Sequence, residues 1–345
     1  MAKVNLLTIH WGESYGAVMQ TYATCQILKN LGHDVTIINL VDYRFTARFR
    51  RWQTVFDLPR IIGFKRFKRK YFGKMTPLMY TINERMIPRA DYTIVGSDQV
   101  WNRDITNKLG LFYYLPFAKD SKRLSLASSF SKSAWQEEEG YTEQVREELK
   151  KFIALSVREE SGVRICNDVF GLKAKWVIDP TIALGDYKSL IGEVQSDGTI
   201  CSFRFRRGAL FAQCLSFISS QIGRPIKYIR FYDKNDDGMH IPCNTPQRWL
   251  KEIAKSDFVV TDSFHGVVFS ILFHKQFVTL PAIPERFERI ESLLSMLNLS
   301  DRIVKSEKEL SSQSALLHPI DYNKVDIIIE EWRKEYFDYV NFNIK

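Results

Sequence analysis

Short apolar runs alternate with amphipathic stretches along most of the chain. VNLLTI (4–9) has the unbroken hydrophobic character of a buried strand, and the loop HWGESYG (10–16) follows it. The next segment, AVMQTYATCQILKNLG (17–32), places Val18, Tyr22, Cys25 and Leu28 or Leu31 on one helical face, with Gly32 where a helix C-terminal cap is expected. DVTIINL (34–40) is then a second strand. Strand, loop, helix and strand within about forty residues make a βαβ unit with a parallel sheet. Further strands are expected in DYTIVGSD (91–98), RLSLASSF (123–130), FIALSVRE (152–159) and KWVIDPTI (175–182), with a charged helix over 137–151.

Residues 182–198 lose periodicity and gain glycine and aspartate, which suits an inter-domain linker. A second series follows, with strands in TICSFRF (199–205), PIKYIRF (225–231), FVVTDS (258–263) and QFVTLPA (276–282). Helices are expected over 210–223, 247–256 and 265–275, the middle one started by Thr245 as N-cap and Pro246 at its first position. At the end, Val325, Ile328, Ile329, Trp332 and Tyr336 form one apolar stripe, so the chain closes on an amphipathic helix. The fold class expected is α/β: two Rossmann-like domains facing a cleft, 1–185 and 195–320, with a C-terminal helix (321–345) that can pack back on the first domain. Ligands of open α/β sheets bind beyond the carboxyl ends of the strands, which is where candidate chemistry should lie.

Composition narrows the class. The 345 residues carry 49 Lys and Arg against 40 Asp and Glu, a formal net charge of +9, which favours anionic ligands or surfaces without choosing among them. Much of the excess is local: residues 44–74 hold eleven Arg or Lys, one acid (Asp57) and eight interleaved aromatics. Such a stretch can lie on an anionic membrane interface, or its aromatics can pack inward while its charges are solvated; nucleic acid is the least favoured partner. The five cysteines are widely spaced with no CxxC pair, which speaks against a disulfide framework or a zinc site. The opening MAKVNLLTIH is too short and too quickly polar for a signal peptide, and no apolar run reaches transmembrane length. A cytoplasmic protein is expected, peripheral at most on the inner face of the cell membrane.

Five places could carry chemistry. The loop at 10–16 has two glycines before a helix N-terminus, so Gly16 can serve an anion there, or the loop is a plain strand–helix turn. Asp98, Gln99, Trp101 and Asn102 follow a buried strand and suit sugar recognition through hydroxyl-binding groups and an indole face; Asp98 could instead cap a helix. Arg158 ends a strand, where its fork can grip a carboxylate or phosphate or pair with Glu159 or Glu160. His265, beside Asp262 and Ser263, stands between an apolar strand and an apolar helix, a position from which imidazole can give or take a proton. Arg286 or Arg289 could face the same place or be surface charges.

Together the segments SYGAVMQTYA, DYTIVGSDQVWN, YYLPF followed by LSLASSF, SVREESG, VIDPT and TDSFHGVVFS resemble the polysaccharide pyruvyl transferase family, in the family's order, from residue 5 to about 295. The resemblance implies a GT-B-like architecture, phosphoenolpyruvate as co-substrate with no other cofactor and no metal, and a pyruvate ketal installed across two sugar hydroxyls. The family's active-site arginine falls on Arg158 and its histidine on His265. Gly16, Ser263, Arg286 and Arg289 would complete the donor side; Asp98, Gln99, Trp101 and Asn102 would form the acceptor side. The acceptor can be a polysaccharide or its lipid-diphosphate-linked precursor. Some members carry an arginine shortly before the histidine, and here Asp262-Ser263-Phe264 stands in its place. A nucleotide-sugar glycosyltransferase of GT-B type, or a non-catalytic carbohydrate-binding module, is the alternative.

Overall fold

The computed structural model describes residues 1–46, 54–206, 208–230, 236–281, 287–312 and 318–345, without the side chains of 45, 46, 54–56, 230, 311 and 312. The chain divides into two compact units, Met1–Leu184 with Glu330–Lys345, and Gly185–Ile329.

The first unit contains β1 (Lys3–Leu7), α1 (Tyr15–Asn30), β2 (Asp34–Ile37), α2 (Tyr43–Thr46), α3 (Thr54–Tyr71), β3 (Lys74–Met75), β4 (Tyr92–Val95), α4 (Arg103–Thr106), β5 (Lys122–Ser125), α5 (Glu139–Leu149), β6 (Phe152–Ala154), β7 (Ser156–Val157), α6 (Glu160–Asp168), β8 (Lys175–Trp176) and α7 (Pro180–Leu184). Its main sheet runs β3-β2-β1-β4-β5-β6, parallel throughout. β1 is buried from Val4 to Leu7 and β4 along its whole length, as strands covered on both faces must be.

Two local readings of the sequence change here. α1 was expected to bury one stripe, yet it is enclosed on nearly all sides, including Gln20, Thr21 and Thr24. The burial is tolerated because each polar group is paired: Gln20 Nε2 donates to the Ile9 carbonyl at 2.9 Å, Thr24 Oγ1 to the Gln20 carbonyl at 2.8 Å. The segment 152–159, read as one strand, breaks at Leu155. Ser156 N donates to Ser125 Oγ (2.7 Å), and the chain then pairs with β8 instead of β5.

The described part of the 44–74 stretch shows aromatics turned inward. Ile61, Phe64, Phe67 and Phe72 are buried, with Phe64 against Tyr15 and Phe67 against Tyr22, while Lys65, Arg66, Arg69 and Lys70 are exposed. Phe49 and Trp52 lie outside the described residues. Among the described residues no helix is long and apolar enough to cross a membrane.

The second unit contains α8 (Lys188–Ile191), β9 (Ile200–Phe203), α9 (Ala209–Ile222), β10 (Ile226–Arg230), β11 (Met239–His240), α10 (Pro246–Lys255), β12 (Phe258–Thr261), α11 (Phe264–Leu272), β13 (Gln276–Thr279), α12 (Glu288–Met296), α13 (Glu307–Ser312) and the first turns of α14 (Tyr322–Asn343). Its parallel sheet runs β11-β10-β9-β12-β13, with the fully buried β9 and β12 adjacent. Thr245 caps α10 through Arg248 N at 3.1 Å, with Pro246 at the helix start. From Glu330 onward α14 packs on the first unit. Trp332 meets Trp176 edge-on, Arg333 Nε donates to the Ala183 carbonyl (3.1 Å), and Tyr339 OH donates to the Ser125 carbonyl (2.9 Å).

Candidate active site

In the first unit the chemistry gathers beyond the carboxyl end of β4. Gly96 lets the chain pass close to Leu6 and Thr8, and Asp98 then takes a left-handed backbone conformation (φ 77°), uncommon for a residue with a Cβ. Behind it lies a closed polar network. Arg158 Nη1 donates to Asp179 Oδ2 (2.6 Å) and to Ser97 Oγ (3.1 Å), Ser97 Oγ donates to the same Asp179 oxygen (2.9 Å), and Arg158 Nη2 reaches Asp98 Oδ1 at 3.4 Å. Glu159 accepts from the Phe130 and Ser131 amides at 2.7 and 3.0 Å, and its other oxygen is 4.0 Å from Arg158 Nε. Burial pulls the proton affinity of Arg158 down, but Asp179, Asp98 and Glu159 more than offset this and leave it raised, so the guanidinium stays charged. The Arg158 and Asp179 side chains are fully enclosed, whereas that of Asp98 is 14 % exposed.

This geometry changes several expectations. The Arg158 fork is taken up by Asp179, Ser97 and Asp98. Trp101 does not offer a stacking face: it is 3 % exposed, gives its indole N–H to the Tyr113 carbonyl (3.1 Å) and stacks on Tyr114. Asn102 is buried and caps α4 through Asp104 N, a role read for Asp98 as an alternative. Asp98 and Gln99 remain part-exposed at the strand end.

Gly16 is the second residue of α1, after the N-cap Ser14. The loop before it is held from α3. Arg60 donates to the Glu13 carbonyl and Lys68 Nζ to the Gly12 carbonyl at 3.2 Å. Burial lowers Lys68 to about 8, and burial followed by the Lys68 charge lowers His10 to about 4, so this imidazole is neutral at pH 7. As a neutral ring His10 donates from Nδ1 to the Thr8 carbonyl (2.9 Å), and its Nε2 lies 3.0 Å from the Asn39 side-chain amide.

In the second unit His265 is the second residue of α11, directly beyond the carboxyl end of β12, and is 6 % exposed. Ser263 caps that helix by accepting from Gly266 N at 3.3 Å. Gly266 is required by close approach, since a Cβ there would sit 2.4 Å from Thr261 Oγ1. The Phe264 ring joins two of the expected residues. Its centroid is 5.1 Å from that of His265, and the Arg289 guanidinium lies over its face at 5.2 Å. Arg286 lies outside the described residues. Asp262 turns away and accepts from the Phe205 amide (2.7 Å) and the Arg206 amide (3.1 Å), pinning the loop after β9. Burial raises its carboxyl to about 6, against the pull of those amides.

A family model for polysaccharide pyruvyl transferases matches residues 15–281. The chain belongs to the polysaccharide pyruvyl transferase family. The match spans both clusters, at β4 and at β12. No curated protein matches the chain. Solved structures similar to this pyruvyl transferase family member include the S. aureus MnaA–UDP complex (TM-score 0.57, 12 % identity, 99 % of this chain and 97 % of that one). The UDP-GlcNAc 2-epimerase of Neisseria meningitidis bound to UDP-GlcNAc gives 0.53 at 11 % identity (99 % and 100 %), and a kitacinnamycin glycosyltransferase gives 0.50 at 12 % (100 % and 99 %). These neighbours are GT-B glycosyltransferases and epimerases, and at such identities the likeness shows the fold alone.

Sequence reasoning passed over two members of the network. Asp179 stood inside 175–182, expected as a strand, but the strand stops at Trp176 and Pro180 opens α7; Asp179 Oδ1 accepts from Thr181 N at 2.9 Å, while Oδ2 carries the ion pair. Ser97 gave no signal of its own.

Proposed function

We propose that this chain transfers the enolpyruvyl group of phosphoenolpyruvate to a sugar of a polysaccharide or its lipid-linked precursor and closes it as a pyruvate ketal. The observation that carries the reading is the seat of His265: a nearly enclosed imidazole in the first turn of α11, beyond β12, with the Arg289 guanidinium on the neighbouring Phe264 ring. A small dianion suits that seat. The α11 amides and helix dipole attract one anionic group, and Arg289 the other.

The chemistry follows from the donor. One sugar hydroxyl oxygen bonds to C2 while C3 takes a proton and becomes a methyl group. Phosphate then leaves with the C2–O bond pair, and a second hydroxyl adds to C2 and loses its proton. His265 is assigned the proton transfer at C3. Asp98, the reachable carboxylate of its network, is assigned to orient a sugar hydroxyl and take its proton, with Gln99 beside it. Arg158 is assigned a positioning role, holding Asp98 through one fork and Asp179 through the other.

The test is incubation of the protein with phosphoenolpyruvate and a panel of aryl or lipid-linked sugars, read by mass spectrometry for the pyruvyl increment and by phosphate release. His265→Ala should abolish both readouts while the melting temperature stays unchanged. Turnover near the parent's would remove the assignment. Transfer from nucleotide sugars with no phosphate release from phosphoenolpyruvate would replace the reading with glycosyl transfer.

A further inference from the structure

The outward face of α3 has no use in the reaction above. At 100° per residue, Lys65, Leu58, Arg69, Ile62, Arg66, Pro59 and Lys70 fall in one arc, opposite the buried Ile61, Phe64 and Phe67. All seven are exposed, Leu58 at 44 % and Ile62 at 38 %. The arc carries four cations, and the helix's one acid, Asp57, lies outside it.

We propose that this face is a peripheral docking surface for an anionic lipid bilayer. Leu58 and Ile62, one turn apart, would enter the headgroup boundary, and Lys65, Arg66, Arg69 and Lys70 would meet lipid phosphates. The complementarity is specific in sign and form: aliphatic side chains flanked by cations on one helix face match a surface that is apolar beneath and negative above. Nucleic acid would meet the same cations, but it offers Leu58 and Ile62 nothing to enter. The inner edge of the same helix donates from Arg60 and Lys68 to the carbonyls of Glu13 and Gly12, ahead of α1. Docking would therefore present the β1–α1 loop near the membrane, where a lipid-linked sugar carries its diphosphate.

The test is flotation of the full chain with phosphatidylglycerol–phosphatidylcholine vesicles and with phosphatidylcholine alone. Expected is flotation with the mixed vesicles only, lost at molar salt as the charges are screened. The triple variant Arg66→Gln/Arg69→Gln/Lys70→Gln should partition about a hundredfold less, at roughly fivefold per cation. Leu58→Ser/Ile62→Ser should weaken flotation without changing its salt dependence. Both variants should keep the parent's melting temperature and its phosphate release with a soluble aryl sugar. A parent that stays at the bottom of the gradient overturns the inference. So does a triple variant that floats like the parent, or a parent that binds an oligonucleotide but no vesicle. Flotation is scored without turnover, so a chain that floats but transfers nothing sinks the reaction and leaves the docking face standing.

Discussion

Replacing Arg158 by methionine would remove a fully enclosed cation while leaving the fully enclosed Asp179 and Glu159 in place. The two Asp179 oxygens would keep Ser97 Oγ and the Thr181 groups as donors but lose the 2.6 Å charge-assisted bond. Breaking a buried pair by deleting one partner costs about 3–5 kcal/mol, because the remaining charge is left uncompensated. For a domain of this size each kcal/mol lowers the midpoint by about 2–4 °C, so a drop of ~10 °C is expected at pH 7. The pH dependence fixes the cause. With Arg158 gone, the Asp179 carboxyl in the folded protein should titrate above its unfolded value. The folded state then binds more protons than the unfolded state, and the penalty shrinks as pH falls from 7 toward 4. Adding Asp179→Asn to the same chain should restore part of the lost stability. The assay is thermal unfolding of the two variants and the parent at pH 7 and pH 5. A single variant that melts within 2 °C of the parent at pH 7, or that loses more stability at pH 5 than at pH 7, would refute the argument.

Two further outcomes are expected. Asp262, raised to about 6 by burial, favours the folded state below about pH 4, and that contribution is lost as pH rises through 6; Asp262→Asn should flatten the pH 5-to-7 stability difference by ~1 kcal/mol, and an unchanged difference between parent and variant melting curves would sink the assignment. Gly266→Ala places a methyl 2.4 Å from Thr261 Oγ1, so it should cost about 1–3 kcal/mol in denaturant unfolding, partly relieved by Thr261→Ala; an Ala variant as stable as the parent would show that the approach is not tight.

The sequence made the α/β class and the order of the major strands legible because β1, β4, β9 and β12 are continuous apolar runs, buried on both faces. β3 and β11 were not read: each is two residues long, too short for a period to register. The position of His265 at a helix start was also legible, since an apolar strand gives way to an apolar helix there; that Ser263 caps the helix was not read. The burial of Trp101 and Asn102 was not legible, for one reason. Residue type showed which groups can bind sugar, but not that Tyr113, Tyr114 and Phe130 close over the indole or that Asp104 N claims the amide. Arg158 was left open between ligand and ion pair, and the answer depended on Asp179, 21 residues away in sequence and adjacent only in the folded unit.

The last turns of α14 complete the unit that the chain began with. Tyr336 and Val340 are fully buried in it, Tyr339 bonds the end of β5, and the Lys345 amide donates to the Tyr92 hydroxyl. During synthesis, therefore, the first unit waits with that surface uncovered until residues 330–345 have been made. A chain cut at residue 184, or stopped before residue 330, would leave the ribosome with β4 and β5 lacking these partners and be more exposed to chaperones and proteases.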